Sequence, residues 1–161
     1  RQMCIRDRIF TDSVEKAKEL IASGKKAMVI TDGSNAIDNA YCADFWNYHM
    51  FRIISENMNK PVAAGTMGLL IDKNDKLLSA FPSEKFTTPQ WYEAVTHSKA
   101  DILDDTPEIT PIVQVVDNTE RCRRLGMLYK KNGILHCSIR LWEAADAPEI
   151  KQFAKSITEN F

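Results

Sequence analysis

The sequence predicts an α/β fold: a three-layer sandwich with a mostly parallel sheet between helices and an antiparallel hairpin near the C-terminus. Three observations predict it. Segments with helical periodicity alternate with short apolar runs along the chain. The apolar runs lack alternating polar residues, so we expect both faces of the sheet to be covered. Finally, Asn132-Gly133 stands between two apolar runs, which is typical of a tight hairpin.

Two helices and two strands are predicted in the first part of the chain. The spacing of Asp12 and Glu15 is that of a capping box, and the helix that they begin ends at Gly24. The apolar face of this helix comprises Val14, Ala17, Leu20 and Ile21. The other elements are a buried strand at 27–30, an amphipathic helix at 43–58 and a buried strand at 67–71.

Two helices and three strands are predicted in the rest of the chain. Thr88 as N-cap, with Pro89 at the first helical position, predicts a short helix that reaches Val95. The β-branched segment 111–117 predicts a strand, and 125–130 and 134–141 are the two strands of the hairpin. A last helix begins around Asp146 and Pro148, and its apolar face comprises Ile150, Phe153, Ala154 and Ile157.

Composition and charge narrow the functional classes. A chain of 161 residues has room for one ordinary domain, and its longest apolar runs are far shorter than a membrane span needs. A formal net charge of -1 argues against a nucleic-acid partner. The one exception is the basic cluster Arg121, Arg123 and Arg124, for which a solvated turn between two strands is the favoured interpretation and phosphate binding the alternative. The four cysteines lack paired close spacing, so neither a zinc site nor a thioredoxin-type motif is indicated. No metal and no cofactor are predicted.

The first eight residues are expected not to be native. Arg-Gln-Met-Cys-Ile-Arg-Asp-Arg has no apolar core and no small-residue cleavage site, so it does not match a secretory signal. It resembles the translation of sequencing-adapter reads in assembled environmental DNA. We therefore treat residues 1–8 as an artefact and residues 9–161 as a single α/β domain, the C-terminal fragment of a larger protein.

The loop that begins at Asp32 is a candidate binding site. Asp32-Gly33-Ser34-Asn35 follows the carboxyl end of a predicted strand, which is where open α/β sheets place their ligands. The same residue types also occur in ordinary turns between strand and helix, and that alternative stays open. If ionisable groups converge at this loop, a small hydrolase becomes a candidate.

Aromatic side chains are the other binding candidates. Trp46, Trp91 and Tyr92 could stack on a sugar ring, with Asp32 and Asn35 as polar contacts. Their helical spacing also fits a place in the core or an interface. A free-standing carbohydrate-binding module is the corresponding hypothesis.

The sequence lacks the patterns that are typical of nucleophilic catalysis. No Gly-x-Ser-x-Gly elbow or cysteine counterpart occurs. His136 and Cys137 are neighbours on a predicted strand, so their side chains should point to opposite faces of the sheet. We therefore expect Cys137 to be a core residue.

Several segments together match one known pattern. They are Trp46-Asn47-Tyr48, Met50-Phe51, the run from Gly65 to Asp72, Phe81-Pro82, Gln90-Trp91, Ile102-Leu103-Asp104, the run from Pro111 to Asn118 and Glu120-Arg121. This set resembles the C-terminal domain of a subgroup of glycoside hydrolase family two proteins, the sugar-binding-domain or β-galactosidase-like hydrolases. The likeness covers residues 9–161.

The resemblance implies both a fold and a role. In such proteins this domain is similar to class I glutamine amidotransferases, with a flavodoxin-resembling sandwich that lacks the catalytic cysteine. The acid/base and nucleophile glutamates lie in an upstream barrel, so no residue here inherits a catalytic role. The implied function is a non-catalytic accessory domain of a carbohydrate-degrading enzyme. Its partner would be the upstream catalytic domain of the same polypeptide, with a glycan as a further ligand, in a periplasmic or secreted parent.

Overall fold

A computed structural model describes residues 3–5, 8–31, 36–37, 68–98, 100–116 and 124–161. Nine strands lie in these ranges: β1 (Met3–Ile5), β2 (Arg8–Thr11), β3 (Lys26–Ile30), β4 (Ala36–Ile37), β5 (Leu69–Ile71), β6 (Ala100–Ile102), β7 (Val113–Val115), β8 (Leu125–Lys131) and β9 (Ile134–Cys137). The helices are α1 (Val14–Ala22), α2 (Tyr92–Thr96) and α3 (Pro148–Asn160). The predicted helix at 43–58 lies outside the described residues.

The strands form one mixed sheet in the order β1-β2-β3-β9-β8-β6-β4, with β7 pairing both β8 and β5. Strands β2, β3 and β9 run parallel to one another, and the other described pairings are antiparallel. Strand β7 runs along one edge of β8, while β9 and then β6 follow one another along its other edge. The predicted α/β class is therefore confirmed.

Antiparallel pairing extends further than the sequence predicted. The predicted hairpin is present, with positive φ values of 51° at Asn132 and 76° at Gly133. However, β7 also pairs antiparallel with β8 and with β5. A parallel crossover needs roughly a dozen residues or more, and the connection from Val115 to Leu125 is shorter than that. The short connection therefore accounts for the antiparallel pairing of β7 with β8.

Helices cover both faces of the sheet. Ala17 of α1 packs on Ala27, Val29 and Ile134, which point to one face of β3 and β9. The main core lies on the opposite face. It joins β3 and β9 to α3, and its members there are Met28, Ile30, Leu135, Cys137, Ile150, Phe153 and Ile157. The alternation of side chains along β3 supplies both layers, since successive residues point to opposite faces.

Local chemistry sets the ends of the helices. Ser13, rather than the predicted Asp12, caps α1, because its side chain accepts a hydrogen bond from the Lys16 amide at 3.3 Å. Helix α2 follows a 3₁₀ turn at Pro89–Trp91, whose N-cap is Thr88 as predicted. Helix α3 has Pro148 in its first turn, and three of its four predicted apolar residues are fully buried.

The octapeptide contributes an edge strand. Strand β1 pairs antiparallel with β2, placing Met3 opposite Phe10. This pairing does not test the origin of residues 1–8, so the artefact interpretation stays a prediction. Among the residues that the structure describes, no helix combines the length and apolar character that crossing a membrane requires.

Candidate functional site

Polar side chains converge where the parallel strands β3 and β9 end. Thr31 directly follows β3, and its amide donates to the Cys137 carbonyl at the end of β9. Beyond that point β6 takes the place of β9 beside β8, which brings Asp101 next to the end of β3. A change of neighbour at the carboxyl ends of parallel strands opens a crevice, and such crevices commonly hold ligands.

Asp101 is the centre of this cluster. Its side chain is 4% exposed. The Thr31 hydroxyl donates to its two carboxylate oxygens at 3.1 and 3.0 Å, and the Tyr129 hydroxyl donates to Oδ2 at 3.0 Å. A buried carboxylate needs such donors, because removing its charge from water is otherwise costly. Residues from β6, β8 and the end of β3 are therefore fixed to one another.

Tyr129 and His136 form a stacked pair across the hairpin. Their rings lie 4.8 Å apart between centroids with an interplanar angle of 3°. Burial raises the pKa of Tyr129 well above its usual range, and the nearby Asp101 carboxylate raises it further. Burial also lowers the pKa of His136 to about 4, with a smaller contribution from the charge of Lys131. Both rings are therefore neutral at physiological pH, so Tyr129 acts as a hydrogen-bond donor.

An open cavity of about 1030 Å³ lies above this cluster. Thr31, Asp101, Tyr129 and His136 all line it. Its remaining polar lining comes from α1, from the segment after β6 and from the hairpin: Lys18, Asp104, Asp105, Thr106, Lys131 and Asn132. Volumes of this order are typical of small-molecule sites.

One wall of the cavity is the segment from Leu103 to Ile109. Arg124 holds it in place: its guanidinium donates to the carbonyls of Leu103 at 3.3 Å and Thr106 at 3.1 Å, and also to that of Ile109. The Arg124 amide donates to Asp104 Oδ1 at 2.8 Å. Arg124 is thus half-buried and structural, whereas the sequence predicted a solvated turn. Arg121 and Arg123 lie outside the described residues.

The structure describes two of the five predicted binding residues. Trp91 is 0% exposed, and its ring packs edge-on against Phe81 and Phe153 at centroid distances of 5.0 and 5.6 Å. It thus occupies the core, and no ring face is open to a sugar. Tyr92 is 57% exposed at the start of α2. The other predicted binding residues, Asp32, Asn35 and Trp46, lie outside the described residues.

The sequence did not identify the four residues of the cluster as a site. Thr31 immediately precedes the predicted loop, whose residues Asp32–Asn35 lie outside the described ranges, so the loop stays a prediction. A detectable signal was a polar residue inside an otherwise apolar strand, as at Asp101 in Ala-Asp-Ile and at His136. Only strand pairing shows that these residues meet.

Cys137 lies on the opposite face from His136, as predicted. It belongs to the main core, is fully buried and has a thiol pKa raised by burial to about 12. A neutral thiol inside a strand is a poor nucleophile. Within the described ranges, no three His, Cys, Asp or Glu side chains come together in an arrangement able to hold a metal ion.

Comparison with known proteins places the chain in a family. Among curated proteins, none matches the sequence. One family model matches residues 8–160, nearly the whole chain. The chain therefore belongs to the family described as a domain of unknown function, DUF8487.

Proposed function

We propose that this chain is a non-catalytic accessory domain of a carbohydrate-degrading glycoside hydrolase and packs against the catalytic domain of the same polypeptide. The motif set from Trp46 to Arg121 supports the enzyme class by resemblance. The observation that carries the non-catalytic role is the place of Cys137, the one cysteine whose side chain lies among the described residues. An amidotransferase-like reaction needs an accessible thiolate, whereas this thiol is fully buried and its pKa is raised to about 12.

An exposed apolar surface supports packing against another domain. We name Leu70, Phe86 and Val116 the apolar edge. Leu70 pairs with Phe86 on one side and lies opposite Gln114 on the other, with Val116 two residues further along the same face. Leu70 is 53% and Phe86 60% exposed. Contiguous exposed apolar side chains commonly mark an interface.

Aryl-glycoside hydrolysis tests the absence of activity. The 161-residue chain and its parent polypeptide are assayed side by side against a panel of aryl glycosides. We expect hydrolysis by the parent and none by the chain. Hydrolysis by the chain alone would refute the proposal, and so would a parent that hydrolyses no glycoside.

The packing role has its own test. In the parent, Leu70→Ser and Phe86→Ser should lower the melting temperature of the catalytic domain, because each removes apolar area from the interface. Trp142→Ser is the matched control, since Trp142 is also exposed but lies outside the apolar edge. An equal effect of all three variants would contradict a role for the apolar edge.

A small hydrolase is the second candidate function. The observation that favours it is the convergence of Asp101, Asp104, Asp105 and His136 around the cavity next to Thr31. It predicts that the chain cleaves a simple ester or glycoside and that Asp101→Asn removes the activity. Activity that survives this substitution would exclude the cavity as its site.

A further inference from the structure

We propose that the cavity above Asp101 binds a neutral, polyhydroxylated ligand, namely an oligosaccharide segment. This inference rests on the proposed function, because it assigns the accessory domain a substrate-contacting site. The site differs from the one that the aromatic residues predicted: neither Trp91 nor Tyr92 lines the cavity.

The charges of the side chains that line the cavity disfavour an anionic ligand. The lining residues that the structure describes include the three carboxylates Asp101, Asp104 and Asp105 and the two ammonium groups of Lys18 and Lys131. A phosphate-rich ligand requires an excess of positive charge, and among these described residues the carboxylates outnumber the cations. A ligand without charge avoids repulsion by either set.

The hydrogen-bonding groups match hydroxyls. A sugar hydroxyl both donates and accepts, and the cavity offers both kinds of partner. Asp105 carries an exposed carboxylate acceptor, whereas Lys18, Lys131 and the Asn132 amide supply donors. Half-buried apolar side chains of Val14 and Ile102 line the same space and can contact the C–H faces of a ring.

The floor of the cavity is rigid. Thr31 and Tyr129 hold Asp101 by three hydrogen-bond contacts, and the His136 ring stacks on Tyr129. Arg124 fixes the wall through three carbonyls. A site whose groups are already positioned loses less conformational entropy when it binds.

Nuclear magnetic resonance of the 161-residue chain tests the inference. The probes are cellobiose, xylobiose and lactose, with inorganic pyrophosphate as the anionic comparison. We expect at least one disaccharide to shift the amide resonances of Thr31, Lys131 and Asn132 in a saturable manner. Pyrophosphate should shift them less. Shifts confined to other parts of the chain, or stronger binding of pyrophosphate, would overturn the inference.

Matched variants locate the site. Lys18→Met and Asp105→Ala each remove a hydrogen-bonding group at the cavity, so each should weaken sugar binding about tenfold. Lys16→Met on the same helix and Glu108→Ala in the same wall segment remove exposed groups that do not line the cavity, and both should retain the affinity. Both cavity residues are exposed, so folding is preserved. Equal affinity in all four variants would overturn the inference.

The two proposals fail in different ways. If no disaccharide binds while the parent hydrolyses glycosides and the isolated chain does not, the sugar site is wrong and the accessory role stands. If the isolated chain hydrolyses an aryl glycoside, the accessory role is the proposal that fails.

Discussion

At the scale of single residues, His136 makes the stability of the folded chain depend on pH. Its pKa is about 4 in the folded chain and about 6.5 when unfolded, because burial disfavours the charged ring. Between these values the unfolded state binds more protons. Stability therefore falls as the pH drops from about 6.5 to about 4, by up to about 3 kcal/mol. We expect His136→Phe, which can keep the stack on Tyr129, to remove this part of the pH dependence in urea unfolding.

The cause of the shift can be checked directly. Lys131→Met should raise the titration midpoint of His136, measured by NMR, because the nearby positive charge is one cause of the lowered pKa. Lys130→Met is the matched control, since the neighbouring strand residue points to the other face of the sheet. A midpoint near 6.5 in the unmodified chain would contradict the burial argument.

At position 126 the structure leaves no space for a side chain, which accounts for the glycine there. A Cβ at this position would lie 2.8 Å from Leu103 Cδ1 and 3.0 Å from Tyr129 Cδ1. Tyr129 cannot easily move, because its hydroxyl is bonded to Asp101. We expect Gly126→Ala to lower the free energy of unfolding by about 1–3 kcal/mol. In a Leu103→Ala background the added cost of Gly126→Ala should be smaller; an unchanged cost would show that Leu103 is not the obstacle.

At the scale of elements, the Arg124 side chain binds the wall segment 103–109 to the start of β8. Arg124→Met removes the donors to the carbonyls of Leu103, Thr106 and Ile109. We expect a loss of stability of about 1–3 kcal/mol. Amide hydrogen exchange should accelerate most at Thr106 and Ile109, whose amides bond within the same segment. Lys131→Met is the control, since Lys131 lines the cavity without contacting those carbonyls. Uniform acceleration along β8 would contradict a local role.

Some elements could be predicted from the sequence because residues within the element determine them. The hairpin follows from Asn132-Gly133, which accepts positive φ at both positions, and α3 follows from the spacing of its buried face. The predicted ends of the strands were less accurate. The predicted strand at 134–141 ends at Cys137. Ser138 still donates its amide to the Met127 carbonyl of β8, but Ile139 pairs instead with Ser98.

The site could not be predicted, because the residues that form it are far apart in the sequence. Thr31 lies 70 residues from Asp101 in the sequence, and Tyr129 lies 28 residues from it. No periodic pattern relates positions at such separations. They meet because β3 pairs with β9, β9 with β8 and β8 with β6. Only the crevice itself could be anticipated, from the polar loop that begins where β3 ends.

At the scale of the whole molecule, an aromatic cluster joins α3 to the rest of the core. Phe153 packs edge-on against Phe81 at 5.3 Å and against Trp91 at 5.6 Å, measured between ring centroids, and all three rings are buried. The same core reaches Met127 and Leu128 in the middle of β8. This continuity predicts that α3 and the sheet unfold together rather than as separate units.

Phe153→Ala tests this cooperativity. The substitution should cost about 3–5 kcal/mol, because it removes a large buried ring and leaves a cavity. Since the core is shared, native-state hydrogen exchange of the β8 amides should lose the same amount of protection as the amides of α3. Lys155→Ala on the exposed side of α3 is the control and should change the protection of neither element appreciably. If α3 alone lost protection while β8 kept it, the helix would be a separate folding unit.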